Sequence, residues 1–143
     1  MSVDIKQAAD GSMELVGNNV LNTGFIYVTA PWEPTSNATN ICLVADRALR
    51  VKAIIGRVNV AGTDGGAVTA TVYKAPSGTA LASGTALHSS TFNLKGTAAT
   101  NQTLTLSTTD GVLDIAAGNT IGVVLTGTLT SATGAISVSL APR

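Results

Sequence analysis

The side chains that can do chemistry are few in this chain and lie far apart. It has one histidine, His88, and one cysteine, Cys42, whereas a zinc site built from such residues needs several ligands at short spacing. We interpret His88 as an exposed or hydrogen-bonded histidine on a strand. Cys42 lies in the apolar run 41–44 and is interpreted as a small buried hydrophobe, not as a nucleophile.

The acidic side chains form no motif of a known site either. No serine stands in the G-x-S-x-G elbow of the α/β-hydrolases, and no calcium loop, phosphate loop or dinucleotide fingerprint is present. A glycosidase needs two carboxylates facing each other across a cleft, and their spacing here indicates no such pair. We therefore predict a protein that is not an enzyme and that needs no metal or cofactor. The carboxylates are Asp4, Asp10, Glu14, Glu33, Asp46, Asp64, Asp110 and Asp114.

The composition indicates a neutral, weakly charged chain. Eight basic residues balance eight acidic ones, and only 11% of the residues are charged, against about 25% in ordinary globular domains. This balance argues against a nucleic-acid or membrane partner, and the apolar runs are too short to span a bilayer. Residues 1–10 lack the apolar stretch of a signal peptide, so we expect synthesis in the cytoplasm.

Hydroxyl groups supply the missing polarity. The chain contains 21 threonines and 11 serines. Threonine is β-branched and suits a pleated, half-buried surface, so this composition is typical of a β protein. Such a surface carries few charges to deter association, which favours a chain whose surface is covered in a larger assembly.

Period-two alternation of apolar and polar residues dominates from about residue 50 onward, and glycine-rich turns separate the alternating segments. The segment 51–60 also alternates, but its phase slips, and we place a β-bulge or bend at Gly56. The glycine-rich segment 62–66 is predicted to be a hairpin loop. The pattern predicts an all-β antiparallel sandwich or jelly roll with a core that includes Val68, Val72, Leu104, Leu106, Ile121, Val123, Val138 and Leu140.

The first forty residues differ from the rest. Glycine and asparagine interrupt their short apolar runs, and Pro31 and Pro34 bracket the only tryptophan, Trp32. Because proline disfavours helix and central strand, we predict an extended N-terminal arm over residues 1–40 and a β-sandwich domain over residues 41–143.

Four residues are candidates for a partner interface. Trp32 lies in a loop stiffened by two prolines, and the alternative is that it folds back to cover one end of the sandwich. Three arginines precede or lie within one strand and are too few for nucleic-acid binding, so we assign them to polar contacts with a partner protein: Arg47, Arg50 and Arg57.

The last hundred residues, roughly, resemble the capsid decoration (cement) proteins of tailed bacteriophages. The resemblance rests on the strand RVKAII at 50–55, the turn AGTDGG at 61–66, the residues FNL at 92–94 before a threonine-rich strand, and LDIAAGNTIGV at 113–123. It implies a non-catalytic sandwich that docks on the capsid exterior of a virion and bridges subunits of the major capsid protein. It also implies a homo-oligomer, a dimer or a trimer, made in the host cytoplasm.

Two other classes of β-sandwich remain as alternatives. One is a phage tail-fibre or receptor-binding head domain, although such domains more often belong to longer chains. The other is a carbohydrate-binding module, which stacks sugars on exposed aromatic side chains. The chain has only five such side chains: Phe25, Tyr27, Trp32, Tyr73 and Phe92.

Overall fold

The computed structural model describes the backbone of residues 4–7 and 13–16, and residues 25–32, 39–63 and 65–143 in full. Most of this part of the chain consists of antiparallel strands and the loops that join them. The strands are β1 (Asp4–Gln7), β2 (Met13–Val16), β3 (Ile26–Trp32), β4 (Thr39–Val44), β5 (Leu49–Val60), β6 (Thr69–Ala75), β7 (Thr85–Ala86), β8 (Phe92–Asn93), β9 (Asn101–Thr103), β10 (Asp114–Ile115), β11 (Thr120–Thr126) and β12 (Thr133–Pro142).

Two five-stranded sheets pack face to face and form a β-sandwich, which confirms the predicted fold class. Sheet I has the order β10-β5-β12-β3, with β9 also paired to β5. Sheet II has the order β4-β11-β6-β7, with β8 also paired to β6. Strands β1 and β2 pair with each other in a separate two-stranded ribbon.

The core lies between the sheets and is built from the inward positions of the alternating strands. Seven of the eight core residues predicted from the sequence are buried there. The exception is Leu106, which packs against the core but is only partly buried, because its segment forms an isolated bridge with His88 outside the main strands. The only described helix is a short 3-10 turn, Leu81–Ser83, so none is long enough to cross a membrane.

The phase slip in β5 lies at a different residue from the one predicted. Ser139 pairs with Ala53 and the next residue, Leu140, pairs with Val51, so Lys52 is the extra residue of one bulge. A second register shift, between Thr133 and Gly134, leaves Asn59 as an extra residue near the end of the strand. Gly56 lies instead on the inward face of β5, directly beneath the ring of Phe92 from sheet II. A Cβ atom on Gly56 would come within 2.4 Å of that ring. The glycine is therefore required for aromatic packing between the sheets.

Strand β3 belongs to the sandwich, whereas the sequence placed it in the arm. It pairs with β12 over seven consecutive residues, from Ile26 with Leu140 to Trp32 with Gly134. Pro31 fits because β3 has only β12 as a neighbour within its sheet, and an edge strand tolerates a residue without an N–H group. The part of the predicted loop at 33–38, and most of the arm, lie outside the described residues.

The connection between β5 and β6 is not the predicted hairpin loop. Strand β5 is in sheet I and β6 is in sheet II, so this segment carries the chain across the sandwich. Asp64, within this segment, lies outside the described residues.

A short sequence repeat, SGTALA at 77–82 and SGTALH at 83–88, forms two different structures. In the first copy, Leu81 lies in the 3-10 turn and packs over Gly122 on the outer face of sheet II. In the second copy, β7 delivers Leu87 into the core. The first copy therefore covers part of the outer face of sheet II.

Candidate protein-binding face

His88 is a structural residue that completes the hydrogen bonding of sheet II. After Leu87 donates its backbone N–H to the carbonyl of Val72, the chain leaves β6, and Ser89 pairs with Thr105 instead. The backbone N–H of Val72 donates to Nε2 of the His88 ring at 2.9 Å. Because Nε2 accepts, the proton of the neutral ring lies on Nδ1, which donates to the carbonyl of Ser90.

This arrangement predicts an acid-sensitive fold. Burial of the ring lowers the pKa of His88 below its ordinary value of 6.5. The unfolded chain therefore binds this proton more readily than the folded chain. The stability that the neutral ring contributes is complete above about pH 6.5 and is lost as the pH falls below that value and through the lower pKa of the folded protein.

We expect the free energy of unfolding, measured by urea titration, to decrease between pH 7 and pH 5. His88→Gln retains a carbonyl acceptor for Val72 but cannot titrate, so its stability should change less over the same range. An equal decrease in both proteins would show that His88 is not the responsible group.

Cys42 is the extra residue of a further bulge, where β4 pairs with β11. Ile121 pairs with Leu43 and Gly122 pairs with Ile41, which leaves Cys42 between them. Burial raises the pKa of its thiol to about 11, so the thiolate required of a nucleophile is scarce at neutral pH.

The described carboxylates are engaged by arginines or stand alone. Asp114 is held between Arg50, at 2.8 Å, and Arg143, at 2.6 Å. Asp46 pairs with its neighbour Arg47. Among the residues with described side chains, no three His, Cys, Asp or Glu residues come together as metal ligands do.

Trp32 lies in the core and not on the surface. Its side chain is only 3% exposed, and its ring meets that of Phe92 edge to face with the centroids 5.5 Å apart. It lies over Gly134, where a Cβ atom would come within 2.4 Å of the indole. This corresponds to the alternative interpretation, in which Trp32 covers one end of the sandwich, and we do not include it in an interface.

The three candidate arginines do not form one cluster. Arg47 is exposed in the turn before β5, and Arg50 pairs with Asp114 at the start of that strand. Arg57 lies seven residues farther along β5, roughly 20 Å away at the usual rise of a strand. Its guanidinium donates to the side-chain oxygen of Asn101 at 3.2 Å.

Arg57 belongs instead to the outer face of sheet I, which is a broad surface poor in charge. The strand register places its residues in rows that cross β3, β12, β5 and β9. Hydroxyl groups line the middle of this face, where Thr29 and Ser137 form a hydrogen bond of 2.9 Å. The rows are Tyr27–Ser139–Ala53, Thr29–Ser137–Ile55–Thr103 and Pro31–Ala135–Arg57–Asn101.

Large apolar side chains are exposed on this face. Tyr27 is 71% exposed and Ile55 is 43% exposed. Phe25, just before β3, is 55% exposed, and the centroid of its ring lies 6.4 Å from that of Tyr27. Interface cores are depleted of charge and enriched in tyrosine and arginine, and this face shares the low charge and contains one residue of each type, although its serines and alanines are less typical of such cores.

The sequence identified Arg57 as a candidate but missed Tyr27 and Ile55. Ile55 lies in a strand whose alternation is recognisable. Because the sequence placed the bulge at Gly56, it did not indicate which face of this strand is exposed. Tyr27 belongs to a strand that the sequence placed outside the sandwich. Its alternation with Ile26 and Val28, both partly buried, was the signal that could have placed it on an outer face.

Comparison of the chain with protein-family models, with curated proteins and with solved structures gives no match.

Proposed function

We propose that this protein is a structural component of a tailed-phage virion that docks on the outer surface of the capsid and bridges subunits of the major capsid protein. One observation carries the proposal: sheet I presents a broad, charge-poor face with exposed Tyr27 and Ile55. Sheet II is partly covered on its outer face by the turn around Leu81, although its edge strand β4 also exposes Ile41 and Val44. The resemblance to decoration proteins supplies the identity of the partner.

The physics of such a face suits a protein that stabilises a shell. A ligand that binds only the assembled state stabilises that state by mass action, so many modest contacts suffice. Hydroxyl groups such as those of Thr29 and Ser137 make direct or water-bridged hydrogen bonds without strong charge complementarity. A dimer or trimer on the shell would extend the same stabilisation to neighbouring subunits.

The test measures association with particles. Heads of the phage that encodes this chain are prepared from a strain lacking its gene, mixed with the purified protein and sedimented. We expect the protein to sediment at a fixed ratio to the major capsid protein and to raise the temperature at which the shell dissociates. Failure to sediment with the heads at any concentration would contradict the proposal.

The exposed aromatic pair supports carbohydrate binding as a second candidate function. Sugars stack on aromatic rings, and Phe25 and Tyr27 lie side by side with an angle of 33° between their planes. In this case the purified protein should bind a glycan array, and Tyr27→Ala should abolish the binding. Head binding that survives Tyr27→Ala, with no glycan bound, would exclude this candidate.

A further inference from the structure

The unpaired charges on the outer face of sheet I are positive. Arg57 and Lys52 are both exposed on β5, and neither forms an ion pair with a carboxylate whose side chain is described. Among the described residues, the hydrogen-bond acceptor of the Arg57 guanidinium is the neutral oxygen of Asn101, which occupies a small part of its hydrogen-bonding capacity.

The surroundings of Arg57 strengthen any bond that it makes with a partner. Its direct neighbours across the strands are Ala135 on β12 and Asn101 on β9. Pro31 lies one strand beyond Ala135, and Ile55 lies two residues away on the same face. A shallow depression of about 390 Å³ lies beside the guanidinium, between Pro31, Asn59 and Gly134. A docked partner would exclude water here, and a charge-assisted bond is stronger in such a setting than in solvent.

We infer that the partner surface facing sheet I carries a carboxylate that pairs with Arg57 inside an otherwise apolar and hydroxyl-rich contact. This inference rests on the proposed function and names the chemistry of the partner. A guanidinium binds a carboxylate through two parallel hydrogen bonds, which fixes the orientation of docking. Nucleic acid does not fit, because phosphate binding requires a stripe of basic residues, whereas this face carries few and separated cations.

The chain itself contains a competing source of carboxylates. Residues 1–40 hold four acidic residues and one basic residue, whereas residues 41–143 hold four acidic and seven basic ones. Charge complementarity alone would therefore also permit the arm to occupy the outer face of sheet I. The binding experiment distinguishes a partner from the arm. If a carboxylate of the partner pairs with Arg57, loss of Arg57 weakens head binding. If the arm covers this face, loss of Arg57 releases the arm and strengthens head binding.

The test compares Arg57→Glu with Arg47→Glu in the full chain. Both substitutions change the charge equally, but Arg47 is paired with Asp46 in the turn before β5. We expect Arg57→Glu to weaken binding to the gene-deleted heads by at least about tenfold, as removal of one buried charge pair does. Arg57→Gln should weaken it less, and Arg47→Glu should have little effect. Unchanged melting temperatures establish that each variant is folded.

Four outcomes decide between the explanations. If the unaltered protein binds heads and Arg57→Glu binds equally well, the inference is wrong and the proposed function stands. If Arg57→Glu binds more tightly, the arm occupies the face and the inference is also wrong. If the unaltered protein does not bind heads, the proposed function is wrong and the inference that rests on it is wrong as well. A loss confined to the Arg57 variants, with weaker binding as salt increases, supports the inference.

Discussion

Trp32→Ala is expected to lower the free energy of unfolding of the isolated protein by about 3–5 kcal/mol, the usual cost of removing a buried aromatic side chain. The indole is 3% exposed and packs between Phe92 and the backbone at Gly134, so its removal leaves a cavity at one end of the core. The buried Nε1 atom has no hydrogen-bond acceptor among the described residues, so its loss leaves no described polar group unpaired. Urea denaturation of the purified protein measures the effect.

Tyr27→Ala is the matched control because Tyr27 lies on the same strand but faces outward. It is 71% exposed, so its truncation should change stability by only about 0.5 kcal/mol. A Trp32→Ala protein that melts like the unaltered protein would contradict the core position of Trp32. It would instead support an interface role for this residue, the first interpretation drawn from the sequence.

Gly56→Ala is expected to destabilise the protein by roughly 1–3 kcal/mol, the usual cost of overpacking a core. The added methyl group would lie 2.4 Å from the end of the Phe92 ring, which is itself fully buried and cannot withdraw. Gly65→Ala provides the control, because a Cβ atom there meets nothing within 4 Å. Thermal denaturation of the two variants should therefore differ clearly.

A double-mutant cycle with Phe92→Ala tests the cause of this effect. The three atoms nearest to a Cβ atom on Gly56 all belong to the Phe92 ring, so the cost of Gly56→Ala should largely disappear once the ring is removed. If the two substitutions are instead additive, the glycine is required for a reason other than the ring. Gly134→Ala is not suitable for such a cycle with a ring. Its methyl group would clash not only with the indole of Trp32 but also with the carbonyl oxygen of Arg57, 2.2 Å away.

The sandwich could be predicted because alternation is a local property of each strand. Segments such as β6 and β12 bury every second residue whatever they pair with, so their inward residues are readable from the sequence. That β3 belongs to sheet I could not be predicted in this way. Its partner β12 is distant in the sequence, and Pro31 argues against a strand unless that strand is known to lie at an edge.

The role of the glycines and the set of residues on the binding face depend on contacts between segments that are distant in the sequence. A slip in phase shows that β5 is irregular, but only its pairing with β12 assigns the bulge to Lys52. The role of Gly56 requires Phe92, which belongs to the other sheet. Similarly, Tyr27 and Ile55 share a face only because β12 joins β3 to β5.

The two tyrosines of the chain provide the most direct measurement of the docking claim, because they lie on opposite outer faces of the sandwich. Tyr27 is exposed on sheet I, and Tyr73 is partly exposed on sheet II. Iodination of the free and head-bound protein, followed by mass spectrometry, reports the accessibility of each ring. We predict that binding to heads protects Tyr27 and leaves Tyr73 unchanged. Protection of Tyr73 with Tyr27 still reactive would contradict it.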